Sequence, residues 1–287
     1  MRCFFVIFHD GTRGAKYTLR GVLVIHVDDT LAAGDLTMEP VWAELRTVLH
    51  FGSWPRVMDT EGVYFCGRFT TQASDFSCTA DENEYCSKIP LVRVPRPEEM
   101  EEDLTQADEL ELMGAIGRLG WAARHGRLKE AFAVSWLQQS LKGGKRKLLA
   151  ETNKVIRRAR EPQTLRFVSL GCAWHEIIAV VCVDASQGSM PRCGSQNGVA
   201  VLLCSPSVLT GVGKACAVEW TSSRVKRVVR SSMACEVAGA GLGFEYGDYI
   251  RAVLAELFVP GANLRQWRKE VSRWPLYVAL DAKTALD

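Results

Sequence analysis

Two groups of carboxylates in this 287-residue sequence are placed so that they could act together. Asp28 and Asp29 are adjacent and follow an aliphatic run, where a turn is expected. Two neighbouring acids at a turn tip repel each other, and a divalent metal bound through oxygen relieves that repulsion. An isolated Asp-Asp pair is more often a solvated turn. The second group is Asp184, Glu236 and Asp281. Asp184 closes the apolar run Val180-Val181-Cys182-Val183, and Asp281 closes Leu276-Tyr277-Val278-Ala279-Leu280. Glu236 falls in the first turns of an expected helix. Acids at strand ends and on an adjoining helix can converge on a pair of metal ions, an arrangement that activates water and stabilises the leaving oxygen in phosphodiester hydrolysis. Each acid taken singly reads as a solvated cap.

The surrounding patterns predict the elements that hold these residues. Residues 4–8 and 19–26 read as strands with a loop over 9–14 between them, the second interrupted at Gly21, with a turn at 27–30 and a return strand from Leu31. Residues 40–49 have helical periodicity, and 63–70 return to strand character. The Pro- and Glu-rich stretch 93–108 reads as an exposed connection. Apolar residues at helical spacing (Leu112, Ile116, Leu119, Ala123, then Phe132, Val134, Trp136, Leu137) predict two helices divided near His125-Gly126. Residues 145–160 form a third helix, whose basic residues suit either a solvated face or one that tracks a duplex. A strand at 177–183, a Gly/Ser/Pro-rich loop, strands at 198–204 and 217–221, a long helix over 232–257 and a strand at 276–280 make one αβ unit. The division between units is expected between 162 and 163.

Composition narrows the class. Hydrophobic residues make up 47% and charged residues 24%, so the chain is expected to bury a core without external staples. The net charge of +2 carries no global signal for nucleic acid, so only local basic clusters can. Ten cysteines are scattered without a CxxC pair, and no histidine has zinc-ligand spacing. They read as reduced, buried small hydrophobes in an intracellular protein, cytoplasmic or nuclear. No apolar run of about 18 residues exists, so no membrane span is expected.

The residues also resemble a known family. Gly21-Val22-Leu23-Val24-Ile25-His26-Val27-Asp28-Asp29-Thr30-Leu31-Ala32-Ala33-Gly34 resembles the palm hairpin of reverse transcriptases, especially those of copia-type retrotransposons, with His26 where the family has an aromatic residue. Phe65-Cys66-Gly67-Arg68 and the stretch from Leu112 to Trp121 are similar to its downstream strand and helix. Trp220, the Ser-rich basic segment after it, and Ser231-Ser232-Met233-Ala234-Cys235-Glu236 closely resemble the family's ribonuclease H signature, with Cys235 in place of an Ala.

The resemblance implies an α/β (α+β) fold. Residues 1–162 would be the C-terminal part of a reverse transcriptase (palm hairpin, thumb and connection helices). Residues 163–287 would be a ribonuclease H-like mixed-sheet domain. It implies two-metal phosphoryl transfer with Mg2+, or Mn2+ in its place, on RNA–DNA hybrids. Asp28, Asp184, Glu236 and Asp281 would be metal ligands, with Asp29 in support. Arg224, Lys226, Arg227 and Arg230 would contact the nucleic-acid backbone. The family places a further aspartate on an earlier palm strand and a fourth acid on a later nuclease helix. Both sites are therefore expected to be incomplete here, and the alternative is a catalytically inactive nucleic-acid-binding remnant.

Overall fold

The computed structural model describes residues 2–9 and 18–281, which form three separate sheets and seven helices in a mixed α/β chain. Alternating aliphatic residues make the first sheet. β1 (Arg2–His9) pairs antiparallel with β2 (Thr18–His26), and β2 pairs with β3 (Asp29–Gly34). β2 runs unbroken through Gly21, and the irregularity expected there is a register shift against Ile7 and Phe8. The β2–β3 turn is Val27-Asp28, with His26 opposite Asp29. Val27 takes φ +58, a strained value for a β-branched residue. The loop expected after His9 lies outside the described residues. α1 (Glu39–Val48), with Pro40 in its first turn, packs Trp42 and Met38 against Leu23.

The second sheet is antiparallel: β4 (Val63–Phe65), β5 (Arg68–Gln72), β6 (Cys78–Asp81) and β7 (Thr164–Phe167) in that order. The single strand expected over 63–70 is broken at Cys66-Gly67, where φ values of +50 and +74 turn the chain back on itself. β7 lies beyond the division expected at 162/163, yet it pairs with β6 from Cys78↔Phe167 to Asp81↔Thr164. The Gln163 N–H donates to Asn83 Oδ1 at 3.0 Å, which delivers the chain to the open edge of β6.

Between β6 and β7 lie α2 (Asn83–Ser87), α3 (Gln106–His125), α4 (Ala131–Ser140) and α5 (Lys147–Arg160). Their core is built on Leu112, Ile116, Leu119, Val134, Leu137 and Ile156. Thr105 and Asp108 cap α3 reciprocally. At the break after α3, the fully buried Arg127 donates to Ala159 O, Gln163 O and Asn83 Oδ1. Glu82 is buried beside it with neither carboxylate oxygen hydrogen-bonded. Burial pushes its pKa up to about 7, against the pull of Arg127 and Arg68.

The third sheet has the order β10-β9-β8-β11, from β8 (Ile178–Met190), β9 (Gly194–Cys204), β10 (Ala215–Arg224) and β11 (Leu276–Leu280). All pairs are antiparallel except β11 with β8. Most of the loop expected after Asp184 is strand: β8 runs to Met190, and the turn is confined to Pro191–Cys193, where Arg192 and Cys193 take positive φ. α6 (Ser232–Phe258) covers one face of this sheet, and the short α7 (Trp267–Val271) leads into β11. Gly239, Gly243 and Gly247 recur at four-residue spacing and so share one helix face. A Cβ at Gly243 would stand 2.6 Å from Val183 Cγ2, and one at Gly247 would stand 2.6 Å from Leu276 Cδ1. The glycines let the α6 backbone lie directly on β8 and β11.

The opposite face of this sheet meets α3 and α4 through a polar seam. The buried Trp220 indole donates to Ala123 O at 2.7 Å, and Arg124 pairs with Glu219 at 3.1 Å. Gln139 Nε2 donates to Gln196 Oε1, and Gln196 Nε2 donates to Ser135 and Ser222, each at 2.8 Å. Among the described residues no disulfide forms, and no helix is long and apolar enough to cross a membrane. Cys204 and Cys216 are buried as expected, but Cys182 is exposed because it shares the open face of β8 with Asp184.

Candidate metal centre

The register of two parallel strands sets the positions of two of the acids. Leu280 pairs with Val183, so Asp281, just past the end of β11, stands level with Asp184. Asp184 lies within β8 and not at its end as the apolar run suggests, because the strand continues to Met190. The third comes from α6. Ser231 caps that helix by accepting the Ala234 N–H, and Glu236 lies three residues before Gly239, on the side pressed to the sheet. One carboxylate oxygen from each of Asp184, Glu236 and Asp281 lies within 4.8 Å of the others.

The electrostatics of this cluster are unbalanced. Asp184 and Asp281 are exposed, whereas Glu236 is only 9% exposed and its buried Oε2 has no hydrogen-bond partner. Among the described residues none of the three acids forms an ion pair. Burial raises the Glu236 pKa, and the charges of Asp281 and Asp184 raise it further. An all-oxygen donor set with an orphaned buried carboxylate oxygen, and no counter-cation among the described residues, suits a hard divalent ion such as Mg2+ or Mn2+.

Asp28 and Asp29 are situated differently. Asp28 is exposed on the hairpin turn, and Asp29 is half-buried and accepts the Cys66 N–H at 2.9 Å. Among the described residues, no group of three potential ligands includes either of them. The structure does not bring the hairpin acids together with the other three.

The two basic segments also diverge. Along 145–160, Lys145 pairs with Asp103, and Arg146 with Glu99, Glu102 and Asp108. Lys147 pairs with Glu101, Lys154 with Glu151 and Arg158 with Glu130, while Arg160 donates to Ile89 O. Most of these cations are thus matched within the chain, largely by the acidic connection that the sequence presents as exposed. Arg224, Lys226, Arg227 and Arg230 are exposed between β10 and α6 and form no ion pair among the described residues. Buried Val225 anchors that loop by donating its N–H to Ser195 O.

The sequence reading misses a groove of about 400 Å³ beside Asp184. Leu128, Lys129 and Phe132 line one wall, and Cys182, Asp184 and Ser222 belong to the other. Phe132 fits the helical period of a core residue, yet it is 52% exposed. The available signal was local: Leu128, Lys129 and Phe132 cluster at a helix break.

No family model and no curated protein matches the sequence. Among solved structures, a foamy viral protease–reverse transcriptase in complex with an RNA/DNA hybrid aligns at 12% identity with a TM-score of 0.39. The alignment covers 78% of this chain and 30% of that one. A similarity that distant assigns neither fold nor activity.

Proposed function

We propose that the unit beyond Phe167 is a metal-dependent phosphodiester hydrolase of the ribonuclease H type, acting on RNA–DNA hybrids. We propose further that it belongs with a reverse transcriptase-derived unit in a copia-type retrotransposon polyprotein. The convergence of Asp184, Glu236 and Asp281 carries this reading, because the three acids have no ion-pair partner among the described residues and repel one another, a strain that a bound divalent cation relieves. Asp184, Glu236 and Asp281 would hold the metal, which when bound supplies Lewis acidity and an activated water for hydrolysis. α6 keeps Glu236 fixed against the sheet, while Asp184 on the open face of β8 and Asp281 just past β11 stay open to substrate. Arg224, Lys226, Arg227 and Arg230 hold the backbone of the hybrid without reading its sequence. The Thr164–Phe167 pairing with β6 supports placing the start of this unit after β7, not at residue 163.

The test is cleavage of a labelled RNA–DNA hybrid in Mg2+ by the wild type and by Glu236→Gln. The expected result is cleavage of the RNA strand, reduced at least about 100-fold in the variant. Binding without cleavage by the wild type would make the chain a nucleic-acid-binding remnant. The absence of both binding and cleavage would overturn the assignment.

A further inference from the structure

We infer that the Leu128–Glu130 turn and α4 form the second wall of a single-nucleotide subsite beside the acid cluster, with Lys129 holding a phosphate and Phe132 facing the attached nucleoside. The inference rests on the nuclease reading and extends it to a specific strand contact supplied by the other unit.

The first observation is continuity. Val181 and Val183 pack toward α6, so alternation turns Cys182 and Asp184 to the open face of β8. Asp184 therefore belongs both to the acid cluster and to the groove lining. The second is charge. Lys129 is exposed and forms no ion pair among the described residues, whereas its neighbours Arg124 and Arg158 are paired with Glu219 and Glu130. A ligand that spans a cation-loaded acid cluster and a nearby free ammonium group carries more than one negative charge, as successive phosphates of one strand do.

The third observation is the mixed lining. Phe132 is 52% and Leu128 38% exposed, and both line the groove together with Ser222 and Asp184. An apolar ring set against polar groups suits a sugar and base attached to a phosphate. The groove of about 400 Å³ has room for one nucleotide of a strand but not for a duplex. Its width is already set by the Trp220–Ala123, Arg124–Glu219 and Gln139–Gln196 contacts, so little ordering is needed on binding.

The experiment measures hybrid affinity by fluorescence anisotropy in EDTA between about 50 and 200 mM salt, and cleavage kinetics in Mg2+. It compares the full chain with Lys129→Gln, Phe132→Ala and the ion-paired control Lys154→Gln. Lys129→Gln should weaken binding several-fold and flatten the slope of log K against log salt by about one, the loss of one phosphate contact. Its KM should rise while kcat is kept. Phe132→Ala should weaken binding roughly tenfold with the slope unchanged. Lys154→Gln should change neither. If the wild type cuts the hybrid and both groove variants match it in affinity and slope, the subsite is overturned and the nuclease reading stands. If the wild type neither binds nor cuts, both fall.

Discussion

The two acidic sites make opposite use of the same side chain. At the hairpin tip the acids are neighbours in sequence, and the fold gives Asp29 a backbone N–H from Cys66 and leaves Asp28 in solvent. In the third sheet the acids come from two parallel strands and a helix, and among the described residues they have no ion-pair partner. Adjacency along the chain is thus a poor guide to where acids gather unpaired. What concentrates charge is strand register, close helix packing and the lack of a counter-cation.

Metal should separate the two sites most strongly. At Mg2+ concentrations about 100-fold above its Kd, binding to the folded state alone stabilises by about 2.7 kcal/mol. The wild type and Asp28→Asn should both show the resulting rise in Tm, and Glu236→Gln should lose it. A shift abolished by Asp28→Asn would reverse the comparison. In EDTA the sign inverts. The raised Glu236 pKa means that its stabilising protonated form is lost as pH rises through the folded-state value. Glu236→Gln should therefore melt higher than wild type near neutral pH, and the gap should close below about pH 4.

Gly243→Val tests the packing that sets Glu236 in place. Its side chain would clash with Val183, at a cost of about 1–3 kcal/mol in denaturant unfolding, and hybrid cleavage should fall with it. The smallest effects belong to the hairpin. Asp29→Ala removes the acceptor of the Cys66 N–H and should cost about 1 kcal/mol. Asp28→Asn should stay within about 0.5 kcal/mol of wild type in the same assay.

Much of this was legible in local pattern. Periodicity marks α3, α4 and α5, and an aliphatic run ending in an acid marks the end of β11 at Asp281, whereas β8 continues past Asp184 to Met190. Features set by distant partners were not legible. β7 looks like the start of a new unit because nothing in Thr164–Phe167 names β6 as its neighbour. The break at Cys66-Gly67 depends on a left-handed cysteine, which residue type alone does not favour. The basic residues of 145–160 suggest a nucleic-acid face until the acidic connection folds across them. Phe132 obeys the helical period, yet the helix presents it to a groove that exists only once the third sheet has docked.

The glycine face of α6 has a consequence for the order of folding. The helix carries four glycines, each costing about 1 kcal/mol relative to alanine, so in isolation it is a weak helix. It becomes stable by lying on β8 and β11, strands brought together from distant parts of the chain. Glu236 therefore reaches its place only after the most non-local pairing in the unit has formed, and non-local pairing is slow. The acid cluster is in this sense a late product of folding: a nascent or partly unfolded chain would carry all three acids without the geometry that brings them together.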